Sequence, residues 1–95
     1  MSLHVGEVGV AIECDMGIDV SGATTLTIIL RRSDDSVIQR AATLVQGSTT
    51  KIECATQAGD ITKHGRWIVQ PKAVWASGDV AYGEERDLMV KRVLA

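Results

Sequence analysis

The sequence predicts an all-β chain, folded as an antiparallel β-sandwich of about seven strands. Three observations carry that expectation. Val, Ile and Thr recur along the chain while Phe is missing and Pro occurs once, a composition suited to half-buried, pleated strands. Apolar and polar residues alternate over several short stretches, and period two is the strand period. Breaks rich in Gly, Asp and Ser return about every ten residues, as in sandwiches and barrels and unlike βαβ units. The 95 residues suit one domain with a single two-layer core.

Glu7 to Cys14 alternates, with Val8, Val10, Ile12 and Cys14 on one side and Gly9, Ala11 and Glu13 on the other, and is read as the first strand. Asp15 to Ala23 mixes Asp, Gly and Ser with aliphatic side chains that tuck beneath them, an irregular loop crossing the end of the sandwich. Thr24 to Arg32 is the most β-prone run, with Leu26, Ile28 and Leu30 facing one way and Thr25, Thr27, Ile29 and Arg31 the other. Ser33-Asp34-Asp35-Ser36 then turns the chain into a strand over Val37 to Val45. A turn at Gln46 to Thr49 leads to a short strand, Thr50 to Thr56, with Ile52 and Cys54 inward. Arg66 to Ala76 places Trp67, Val69, Ala73 and Trp75 on one parity. Pro71 lies inside that strand and requires an edge or a bulge there, because it donates no ladder hydrogen bond. Ser77-Gly78-Asp79 is a tight turn, and Val80 to Ala95 closes the fold.

The most informative stretch is Gly59-Asp60-Ile61-Thr62-Lys63-His64-Gly65-Arg66-Trp67-Ile68-Val69, read as the corner where the chain passes from one sheet to the other. Three of its residues define the fold: Asp60 caps the turn, Gly65 supplies a backbone free to adopt positive φ, and Trp67 plugs the end of the core.

Function is less accessible. The formal net charge is −2 and the basic residues are scattered, apart from Arg31-Arg32 and Lys91-Arg92, so no stripe is offered to nucleic acid. No apolar run is long enough to span a membrane as a helix, and the start of the chain lacks the pattern of a secretory signal, which gives an expectation of a cytosolic chain or one exported by another route. Cys14 and Cys54 fall at inward parity and are expected to be small buried hydrophobes, not a disulfide. Glu13, Asp15 and Asp19 are spaced to converge on Ca²⁺, yet further ligands are lacking and loop capping accounts for them better. His4 and His64 share no metal-ligand or nucleophile spacing with the cysteines. With no phosphate loop, nucleophile elbow or zinc-protease motif, the expectation is a protein that is not an enzyme, with no cofactor, metal or small-molecule substrate. Trp75 and Tyr82 flank the Ser77-Gly78-Asp79 turn, where they are suited to contact a ligand or a protein.

Several pieces together resemble a known family. They are Gly6-Glu7-Val8-Gly9, the loop from Asp15 to Thr24, the strand Thr27 to Arg32 with its Ser-Asp-Asp-Ser turn, Thr56 to Ile61 with Gly65 to Gln70, and Gly83-Glu84 before the last strand. In this order the chain resembles the immunoglobulin-like N-terminal domain of phage baseplate upper proteins and its small tailed-phage relatives. It departs from them at the hairpin, where Pro-Asp-Gly is expected. The resemblance implies an immunoglobulin-like sandwich serving as a structural virion protein. Such a protein is an adaptor or capsid decoration, present in many copies, assembled in the host cytoplasm and docked onto other tail, baseplate or capsid proteins. The competing expectation is a carbohydrate- or receptor-binding module of a phage fibre. Contacts are expected from the terminal arms, Leu3, His4, Val5, Val93 and Leu94, and from the turn carrying Trp75, Asp79 and Tyr82.

Overall fold

The computed structural model describes residues 2–93, and Leu94 lies outside them. Within that span the chain forms nine strands and no helix. They are β1 (Ser2–His4), β2 (Ala11–Asp15), β3 (Thr25–Arg31), β4 (Val37–Ala41), β5 (Thr43–Leu44), β6 (Lys51–Ala55), β7 (Gly65–Val74), β8 (Val80–Tyr82) and β9 (Arg86–Lys91). One sheet runs β1-β9-β7-β3-β4 with β8 added to β7, and the other runs β2-β6-β5. All pairs are antiparallel except β1 with β9, which is parallel and sets Leu3 opposite Val90. The all-β sandwich is borne out.

The inner faces follow the predicted alternation. Leu26, Ile28 and Leu30 of β3, Trp67, Val69 and Ala73 of β7, and Leu88 and Val90 of β9 meet Ile12 and Cys14 of β2 and Ile52 and Cys54 of β6 in one core. Met16 and Val20 tuck under the loop after β2, whereas Ile18 stays exposed. Asp15 and Asp19 cap that loop, each accepting a backbone N–H two residues on, from Gly17 and Ser21.

Four local expectations are corrected. Val8 is exposed, because the first strand of this sheet begins only at Ala11. The stretch Val37 to Val45 is broken at Ala42, where the chain leaves the large sheet as β4 and enters the small one as β5. The closing segment is split into β8 and β9. The N-terminal stretch is an edge strand rather than an arm, and Leu3 is 3% exposed within the core. Pro71 sits where the partner of β7 changes from β9, which ends opposite Val69, to β8, which begins opposite Lys72. Gly83 donates to the Pro71 carbonyl across that gap, so the missing N–H faces an interruption in the ladder and costs no bond. A Cβ on Gly83 would approach the Pro71 ring to 2.5 Å, and the close fit depends on glycine.

Between β6 and β7 the chain crosses from the small sheet to the large one. Gly65 adopts φ +126°, and a Cβ there would meet the Ser33 Cβ at 2.9 Å. Trp67 is fully buried, its indole N–H donates to the Lys63 carbonyl at 3.1 Å, and the Arg32 guanidinium lies 5.9 Å from its ring centroid. Trp67→Ala is expected to cost about 3–5 kcal/mol and Gly65→Ala about 1–3 kcal/mol. Urea unfolding followed by tryptophan fluorescence for Gly65→Ala, and by circular dichroism for Trp67→Ala, measures both. Midpoints equal to the parent's would refute the plug and the turn.

Candidate functional site

The most elaborate polar cluster belongs to the corner. Asp60 is 1% exposed, and a buried carboxylate must be matched by donors. Gln57 N–H donates to Oδ2 at 2.9 Å and Arg40 Nε donates to the same oxygen at 2.9 Å, while Arg40 Nη2 closes a fork on Oδ1. Arg32 donates to the backbone carbonyls of Asp60 and Gly59 and to Ser36 Oγ. The Arg40 bonds, then the Gln57 N–H and the nearby Arg32 charge, hold the Asp60 carboxyl below the usual carboxylate range. Every polar atom here is spent on its neighbours, so the cluster is structural.

The two cysteines lie on the inner faces of adjacent strands, and burial pushes both thiols up to about 11. That disfavours the thiolate needed for attack or metal binding. Among the described residues no three His, Cys, Asp or Glu side chains converge on a metal site. His4 Nδ1 lies 3.0 Å from Glu7, and Arg92 Nε is 3.1 Å from His64 Nε2. Among the described residues no helix is long and apolar enough to cross a membrane.

The surface has more to offer. Strand register assembles the outer face of the six-stranded sheet in rows. Val37, Arg31, Ile68 and Asp87 form one, Gln39, Ile29 and Gln70 the next, then Ala41, Thr27, Lys72 and Tyr82, and finally Thr25, Val74 and Val80. Val37, Val80, Tyr82 and Met89 are exposed, and Ile29, Ile68 and Val74 are half-buried. A shallow hollow of about 70 Å³ opens between Ile29, Val37 and Ile68, rimmed by Arg31, Gln70 and Glu85. Lys72 sits 5.7 Å from the Tyr82 ring centroid. Arg66 is paired with Asp87 at 3.0 Å, whereas Arg31 and Lys72 have no ion-pair partner among the described residues. This face is apolar with surplus positive charge.

The outer face of the three-stranded sheet is its opposite. Ala11 pairs with Ala55, Glu13 with Glu53 and Asp15 with Lys51. Ala11, Thr43, Glu53 and Ala55, with Cys54 beneath them and Ala41 where β4 passes into β5, line a dish of about 280 Å³. Lys51 reaches Glu13 at 3.9 Å, and Glu53 has no ion-pair partner among the described residues. Like charges set directly opposite on a sheet repel.

The residues expected to make contacts are dispersed. His4 is exposed, Val5 packs against the core and Leu3 lies within it. Trp75 is half-buried against the core, and its turn is closed by Trp75 N–H donating to the Asp79 carbonyl. Tyr82 is 57% exposed, Asp79 and Val93 are exposed, and Trp75 and Tyr82 form no joint platform: Tyr82 belongs to the outer face through its pairing with Lys72. What sequence reasoning missed is the apolar outer face itself. Its signal was Ile29, Ile68 and Val74 at outward parity.

No family model and no curated protein matches the chain. Among solved structures it is similar to CopC from Methylosinus trichosporium OB3b, with a TM-score of 0.64 at 13% identity over 99% of this chain and 87% of that one. CopC shares the β-sandwich fold, and the expectation of a tailed-phage virion protein, whether adaptor, decoration or fibre module, is overturned: the solved structure that the fold resembles points away from it. At that identity the likeness carries the fold alone.

Two outcomes follow. Asp60 has a lowered folded pKa, so its contribution is complete above the unfolded value of about 3.9 and is lost as pH falls through the folded one. Asp34 acts in the same direction, its carboxyl held down to about 2 by Ser36 and then Lys63. Urea midpoints should therefore fall below about pH 4, and Asp60→Asn, costing about 2–3 kcal/mol at neutral pH, should flatten that fall. Cys14 should react with a thiol reagent at neutral pH only at the rate of unfolding, and rapid labelling of that position in folded protein would contradict its burial.

Proposed function

We propose that this chain is a non-catalytic binding module that receives the acidic, partly apolar surface of a protein on the outer face of its six-stranded sheet. The observation that carries this is the row structure of that face, where Val37, Ile68, Val74, Val80 and Tyr82 stand beside Arg31 and Lys72, cations with no ion-pair partner among the described residues. A water-facing sheet surface is ordinarily polar at its outward positions. Apolar patches rimmed by charge mark contact sites on soluble proteins, and surplus cations steer an acidic partner and fix its orientation. Burial holds both thiols protonated at neutral pH, and the Asp60 carboxylate is committed to Arg40 and Gln57.

The test is a titration with a soluble peptide alternating Glu and Leu, followed by amide and methyl chemical shifts. Shifts should concentrate at Ile29, Val37, Ile68, Lys72, Val80 and Tyr82, and weaken with added salt. Lys72→Glu should lower the affinity about tenfold, the value of one close charge pair near 1.4 kcal/mol. Absence of shifts, or shifts centred on the three-stranded sheet, would reject the module.

A further inference from the structure

We infer that the acidic surface received by this face is the three-stranded sheet of a second copy of the same chain, so that sandwiches stack head to tail; this rests on the binding-module reading above. The two outer faces are complementary in three respects. In charge, among the described residues Arg31 and Lys72 lack ion-pair partners on one face while Glu53 lacks one on the other, beside the opposed Glu13. In shape, Tyr82, Val80 and Val37 project from the large sheet, and the small sheet offers a dish of about 280 Å³ lined by Ala11, Thr43, Glu53 and Ala55, which extends at one end to Ala41 where β4 passes into β5. In energy, the Glu13–Glu53 repulsion is a local cost of the isolated chain that cations from a neighbour would relieve.

The two surfaces are the opposite outer faces of one sandwich, so a contact between them is heterologous. Each copy offers a free acceptor and a free donor after docking, and the assembly extends as a stack unless its rotation closes a ring. Each contact is salt-sensitive because its charges lie at the rim of an exposed face.

Analytical ultracentrifugation decides the matter. The parent chain should show a weight-average mass that climbs with concentration past that of a dimer and falls back with salt. A donor-face variant, Lys72→Glu with Tyr82→Glu, and an acceptor-face variant, Glu53→Gln with Ala55→Gln, should each sediment as monomers with the parent's circular dichroism. Mixed in equal amounts, they should form one-to-one dimers and nothing larger, because each contributes the face the other has lost. If one variant fails to fold, Arg31→Glu or Ala11→Gln replaces it on the same face. Parent chains that remain monomeric to millimolar concentration, or that stop at a dimer which the variant mixture does not restore, would overturn the stack. If the Glu-Leu peptide still binds the six-stranded face in that case, the binding module stands and its partner is another protein. If the peptide fails as well, both are rejected.

Discussion

Burying the Asp60 carboxylate obliges the chain around it to supply donors, and those donors come from parts of the sequence that are otherwise far apart. Arg40 reaches from β4 at the edge of the large sheet, and Gln57 from the end of β6 in the small one. Arg32, one residue beyond β3, holds the Asp60 and Gly59 carbonyls from the other side and lies over Trp67. One carboxylate thus ties both sheets to the crossing between them. An uncompensated charge at that depth is costly, so the crossing has one satisfactory geometry and few competitors. Gly65 and Trp67 follow from it: the chain must turn sharply past Ser33 to enter β7, and the first inward residue of that strand closes the core.

With the end of the sandwich fixed in this way, the two outer faces are free to diverge. The large sheet collects β-branched side chains and cations, and the small one collects alanines and carboxylates. Neither pattern is needed for the core, which is filled from the inner parity alone. Outward Ile and Val on β3 and β7 gain little from folding where they stand, because they remain partly in water. Their presence is therefore better explained by contact with something outside the chain than by stability.

Much of this fold was legible because it is local. The alternation of Thr25–Arg31 and Lys51–Ala55 fixed their inward residues, and the corner could be read from one Asp, one Gly and one Trp at close spacing. Failures arose where tertiary context decides. Ala42 is an ordinary residue in a continuous β-prone run, yet the sheet switches there: its N–H still donates to the Leu26 carbonyl of β3, while the next residue, Thr43, already pairs with Glu53 of β6. Val8 has strand parity but no partner strand. The candidate face was half visible: outward apolar residues could be named from parity, but that Ile29 and Ile68 would lie diagonally across one hollow depends on the β3–β7 register. The family resemblance rested on turns and short strands shared by many sandwiches, and such pieces report fold more than role.

The parallel pair at the edge of the large sheet has a consequence for how the chain is made. Leu3 is buried against β9, yet Ser2 aligns with Met89, so nearly the whole chain must leave the ribosome before this contact exists. Until β9 is made, β1 is an unpaired strand with an open edge and one exposed apolar side chain, Leu3, and unpaired edges can join the wrong neighbour. Of the described strands β1 is the earliest along the chain, and it is among the last to dock.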